Sequence, residues 1–116
     1  MPLRRNTNRR SEMYRVTTPT HTFKLPINTS DCSEIQLTYK QGSTVLVKHY
    51  QDGILPDGMT LDDEQVIQIL TQEETKAFKE GTASVQVRVL LPSGKSYASQ
   101  TFSFHVSEVL NDEVLS

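Results

Sequence analysis

The 116-residue chain has one cysteine, no tryptophan, five glycines and five prolines, and aromatics make up only 7% of it. A single Cys32 excludes any disulfide within the chain, so the fold must rest on packing and hydrogen bonds. The missing tryptophan and second cysteine exclude an antibody-type domain, which is built on a Cys–Trp–Cys arrangement. No apolar run approaches the roughly 20 residues of a membrane-spanning helix. The net charge of −2 gives no overall electrostatic footprint for nucleic acid. There is no internal repeat and no low-complexity tract.

Catalytic signatures are equally sparse. No G-x-S-x-G turn is present. His21, His49 and His105 lie far apart, without the close spacing of a metal site. Asp62, Asp63 and Glu64, with Asp57 nearby, do not follow the alternating oxygen pattern of a calcium loop. Ser93-Gly94-Lys95 lacks the glycine pattern of a phosphate loop. The expectation is therefore no catalytic residue, no cofactor, no metal and no enzyme.

What the chain does have is period-two alternation. Ile35, Leu37 and Tyr39 alternate with polar partners, as do Val85, Val87, Val89 and Leu91, and again Phe102, Phe104 and Val106. Such alternation marks strands with one buried and one wet face. Shorter runs surround Tyr14 and Val16, and Phe23 and Leu25 with Ile27 in phase. Val45 and Val47 follow a turn at Gln41-Gly42-Ser43, and Val66 to Leu70 reads as a further strand. The expected inward set includes Tyr14, Val45, Val47, Ile67 and Ile69. Pro92-Ser93-Gly94-Lys95 predicts a hairpin with a left-handed residue at Gly94. Thr71 followed by Glu74 is a capping box that opens a helix of one to two turns, with Gly81 as its stop. About seven short strands and one small helix predict an all-β fold, an antiparallel β-sandwich of immunoglobulin-like type. At 116 residues this is one domain.

The charge is uneven. Residues 1–15 carry five arginines against Glu12, a net +4, and residues 107–116 carry a net −3. The expected organisation is a disordered basic arm over 1–12, a sandwich over 13–107 and an acidic tail over 108–116. Met13 opens the patterned region and is a candidate natural start, with 1–12 an upstream extension. No apolar core follows the arginines, so no secretory signal is read.

The stretch from Met13 to Leu115 resembles small proteins encoded by phages and prophages of Gram-positive bacteria. The residues that carry this are Tyr14 to Phe23, Ile69-Leu-Thr-Gln-Glu-Glu74, and Val85 to Lys95 running on into Thr101-Phe-Ser-Phe104. In plan the chain is also similar to the immunoglobulin-like amino-terminal modules of phage baseplate proteins. The resemblance implies a virion structural or adaptor protein acting by protein–protein docking. Its location would then be the virion, or the bacterial cytoplasm before assembly. Implied partners are other phage-encoded proteins or a second copy, with no membrane. Nucleic acid would be reached only through the arm. Candidate contact residues are Arg4, Arg5, Arg9 and Arg10 in the arm, and Leu55 and Met59 in the 51–64 loop. The last two are interface anchors or caps of the sandwich. The alternative is a cell-surface or carbohydrate-binding module working through exposed aromatics.

Overall fold

The structure, a computed structural model, describes residues 12–116. Among these residues nine strands form two stacked sheets, joined by one short α-helix and a 3-10 turn at Thr29–Asp31. In chain order they are β1 (Glu12–Tyr14), β2 (Thr20–Lys24), β3 (Glu34–Gln41), β4 (Thr44–Gln51), β5 (Met59–Asp62), β6 (Gln65–Ile69), α1 (Gln72–Lys76), β7 (Gly81–Leu90), β8 (Ser96–Ala98) and β9 (Phe102–Ser107). The larger sheet runs β1-β9-β7-β3-β4, with β8 also on β7, and the smaller runs β2-β6-β5. This is the all-β sandwich the alternation predicts. One pairing departs from an all-antiparallel plan: β1 lies parallel to β9, with Met13 opposite Val106.

The core lies between the sheets. Ile35, Leu37 and Tyr39 of β3 and Ala83, Val85 and Val87 of β7 meet Met59, Val66 and Leu70 from the other side, with Phe78 closing one end. β7 is the spine, since it carries β3 along one edge and β9 then β8 along the other. The two partners on that second edge differ in register by one residue. Arg88 faces Ala98, whereas Val85 faces Phe102. The extra residue is a bulge at Ser99, whose Oγ accepts from Val87 N and whose carbonyl accepts from Gln86 Nε2. It brings both Tyr97 and Phe102, an odd number of residues apart, to the inward face.

The hairpin around Gly94 forms as expected, with Gly94 at φ +93 and its N–H donating to Leu91 O. The capping box also forms: Thr71 Oγ1 accepts from Glu74 N while Glu74 Oε1 accepts from Thr71 N. The helix ends sooner than expected. Ala77 is its C-cap, and Gly81 starts β7 at φ +135 instead of stopping the helix.

Three strands present the opposite face from the one expected. In β4, Val45 (54% exposed) and Val47 point to solvent, while Leu46, Lys48 and Tyr50 point inward. The cause is the turn, a two-residue Gly42-Ser43 loop that pairs Gln41 with Thr44. Gly42 has φ +58 and Ser43 is not left-handed, the pattern of a type II′ turn. That register sets Leu46 opposite the buried Tyr39, and a one-residue difference turns every side chain over. In β6, Val66 and Gln68 are inward and Ile69 is exposed. In β1, Met13 is buried and Tyr14 is exposed.

Candidate docking groove

The two sheets close on each other at one side and stay open at the other. At the open seam β2 is an edge of the small sheet with no strand beyond it among the described residues. Facing it is β9, which β1 covers at His105–Ser107 among the described residues. Between them runs a groove of about 580 Å³ walled by Phe23, Val85, Phe102 and Phe104, with Glu12 and Lys24 also on its lining. From Lys24 it continues as a second hollow of about 330 Å³ between Ile27, Leu91 and Tyr97. Phe102 is 41% exposed and Tyr97 53% exposed, although both stand on the inward phase of their strands. They are left uncovered because, among the described residues, the small sheet has no strand opposite them.

The free edge of β2 is chemically defined by its ladder. Leu70 N donates to Pro19 O and Leu25 N donates to Glu64 O. The register over Thr20–Lys24 keeps the same pairing. In an antiparallel ladder alternate residues exchange both bonds with the partner. Pro19, His21, Phe23 and Leu25 therefore face β6 with their main chains. Thr20, Thr22 and Lys24 turn their N–H and C=O groups to the open edge. Their side chains are exposed, while those of His21 and Phe23 tuck toward the groove.

His21 forms part of the groove wall. Its Nδ1 lies 2.7 Å from the Tyr39 hydroxyl, and its ring packs 6.0 Å from Phe104 and 6.4 Å from Phe23. Burial, with the charge of Glu74 adding, pushes the Tyr39 phenol above its ordinary range, so it keeps its proton. Burial lowers the His21 pKa, so the imidazole is neutral. Among the described residues the phenol has no other partner, and its proton therefore goes to Nδ1. That assigns the N–H of the imidazole to Nε2. Nε2 makes no hydrogen bond to a described residue, and it is not among their buried unpartnered atoms. It opens into the groove as a neutral donor.

Protonating His21 forfeits the acceptor that the Tyr39 hydroxyl uses. Below pH 6.5 the unfolded chain takes up a proton that the folded chain resists, so stability falls as pH falls from that value toward the lowered folded pKa. Urea midpoints at pH 7.5 and 5.5 are expected to differ more for the parent than for His21→Phe.

Next to this wall the sandwich end is locked by charge. Lys48, inward on edge strand β4, meets Glu74 of α1 at 2.5 Å. An inward lysine on an edge strand also discourages edge-to-edge pairing there. Arg15, just inside the expected sandwich boundary at Met13, is an internal clamp. Its guanidinium donates to Phe78 O at 2.6 Å and Lys76 O at 2.8 Å, at the end of α1, and to Glu108 at 2.5 Å. The tail beyond Glu108 is tied back as well, since Gln72 exchanges two 2.8 Å bonds with the main chain of Leu115. Replacing Arg15 by alanine is expected to cost about 2 to 3 kcal/mol in urea unfolding, because three acceptors lose a charged donor. Arg15→Lys is expected to recover less than half, since one ammonium cannot span the fork.

Of the candidate contact residues, Arg4, Arg5, Arg9 and Arg10 lie outside the described residues. Met59 is 5% exposed and belongs to the core, so it is a cap and offers no anchor. Leu55 is half exposed beside a still more exposed Ile54. Of the groove residues, Phe23, Val85, Phe102 and Phe104 read from the sequence as core, and Tyr97 as an exposed aromatic. The available signal was the odd spacing between Tyr97 and Phe102. Cys32 is buried, and burial followed by the charge of Asp31 raises its thiol pKa. Among the described residues no group of three or more His, Cys, Asp or Glu is placed to hold a metal ion. No helix among them is long and apolar enough to cross a membrane. Compared with protein-family models, with curated proteins and with solved structures, the chain matches none.

Proposed function

We propose that this chain is a non-enzymatic docking protein, a structural or adaptor component of a phage or prophage particle. The observation that carries the docking reading is the open seam. Among the described residues, aromatic side chains on the inward phase stand uncovered beside a strand edge whose main-chain groups have no partner. Exposed apolar surface rimmed by polar groups marks interaction sites, and a free edge next to it suits strand addition. The phage assignment rests on the sequence resemblance alone. With it come the immunoglobulin-like lineage of the sandwich and the partners, other virion proteins or a second copy. The test is a mass-spectrometric inventory of particles produced by the phage or prophage genome that encodes the chain. The chain at a fixed ratio to the tail or capsid proteins is the expected result. Its absence from particles purified to constant composition overturns the proposal.

A second reading, a carbohydrate-binding module, is favoured by one feature, the half-exposed Tyr97 in the hollow beyond Lys24. Aromatic faces of this kind stack on sugar rings. A glycan array with no hits rejects it.

A further inference from the structure

Resting on the docking reading, we propose that the seam receives one extended peptide strand. The strand is uncharged over its middle, apolar at alternate positions, and pairs antiparallel with β2.

Three independent features define this occupant. The first is the main chain. Thr20, Thr22 and Lys24 offer N–H and C=O groups without a partner among the described residues, spaced two residues apart as their ladder to β6 dictates. Only another strand matches that spacing over the length of β2. An antiparallel partner is preferred because that pairing is slightly more stable per residue.

The second is the wall. A strand beside β2 turns alternate side chains inward, over the rings of Phe23, Phe102 and Phe104. Phe23 and Phe102 stand 6.3 Å apart. Branched apolar side chains fill such a space, and a charge there is desolvated without a partner. Beside these rings the wall presents the His21 Nε2–H, held in its tautomer by Tyr39. A neutral donor takes a neutral acceptor, and a peptide carbonyl or a threonine hydroxyl supplies one.

The third is charge at the ends. Glu12 lies near the Thr20–His21 end, since it pairs with His105, whose neighbour Phe104 packs on His21. Lys24 lies at the other end, next to Phe23. Neither makes a salt bridge to a described residue. A strand antiparallel to β2 therefore carries an acid near its amino end, opposite Lys24. It carries a base near its carboxyl end, opposite Glu12.

The probe is acetyl-Thr-Glu-Val-Thr-Val-Lys-Thr-amide, whose glutamate stands opposite Lys24 and whose valines stand opposite Phe23 and His21 on the inward face. It is titrated into the ¹⁵N-labelled full chain and followed by NMR. Saturable shifts are expected at Thr20, Thr22, Lys24 and Phe102–Phe104. Replacing the first valine of the probe by aspartate is expected to weaken binding more than 10-fold. In the protein, Thr22→Pro removes an open-edge donor and leaves the ladder to β6 intact. It is expected to abolish the shifts while the rest of the spectrum stays folded. His21→Phe keeps the wall, loses the donor, and is expected to weaken binding about 5-fold. Absence of saturable shifts overturns the proposal. So does equal binding of the aspartate probe, which needs no protein variant, or shifts centred on the β4 edge. A chain found in particles that fails this titration docks by another surface. A chain that binds the probe but is absent from particles retains the groove and loses the phage assignment.

Discussion

Replacing Lys48 by alanine is expected to destabilise the domain by about 3 to 5 kcal/mol, the cost of leaving one partner of a buried ion pair alone. Lys48 is 7% exposed, and its ammonium is the cation against Glu74. Burial raises the Glu74 pKa. The hydrogen bond and charge of Lys48, with the Thr71 backbone and hydroxyl, outweigh it and hold the carboxyl below its usual 4.5. A depressed carboxylate contributes stability above its unfolded pKa and loses it as pH falls through the folded one. The Lys48→Ala penalty is therefore expected to be full at pH 7 and to shrink below pH 4.5. The double variant Lys48→Met with Glu74→Leu is expected to regain most of the loss, since apolar replacement of a buried pair is often neutral or better. Urea denaturation at pH 7 and pH 3.5 separates these outcomes. An equal penalty at both pH values refutes the charge account and leaves only lost packing.

Gly58→Ala is expected to be of similar size, about 3 to 5 kcal/mol by thermal or urea unfolding. Gly58 has φ +79, and a Cβ there would stand 2.2 Å from Ile69 O and 2.8 Å from Gln68 Nε2. Both atoms are fixed. Ile69 N donates to Gly58 O, and the buried Gln68 amide donates to Asp57 O and Ile69 O. The turn cannot recede without breaking the stitch that turns β6 its observed way. Gly53 is the control. It is also left-handed, at φ +85, but a Cβ there meets nothing within 4 Å. Gly53→Ala is expected to cost about 1 kcal/mol, the backbone conformation alone. Equal losses at the two sites would contradict the close approach at Gly58.

Where one face of a strand was apolar and the other polar, the sequence was enough to orient it, as in β3 and β7. Where both phases carried apolar residues, alternation could not choose. In β6, Val66 and Leu70 compete with Ile67 and Ile69, and the choice falls to Gln68, whose amide has main-chain partners only when it faces inward. In β4 a lysine on the inward phase argued for the wrong face. The II′ loop length held the answer, because pairing Gln41 with Thr44 forces Leu46 and Lys48 inward. The capping box was legible because its spacing is local. The ion pair it supports was not, because Lys48 and Glu74 meet only once the sheet is folded. The groove was hidden for the same reason. Phe102 and Phe104 read as core residues, whereas Tyr97 reads as an exposed aromatic, and all three stand open because no described strand lies beside β2.

The most direct test of the open seam is residue-resolved amide hydrogen exchange on the full chain by NMR. The account predicts alternation along β2: protected amides at His21, Phe23 and Leu25, and fast exchange at Thr20, Thr22 and Lys24. Uniform protection across Thr20–Leu25 would mean that the edge is already paired, and would contradict a free docking groove.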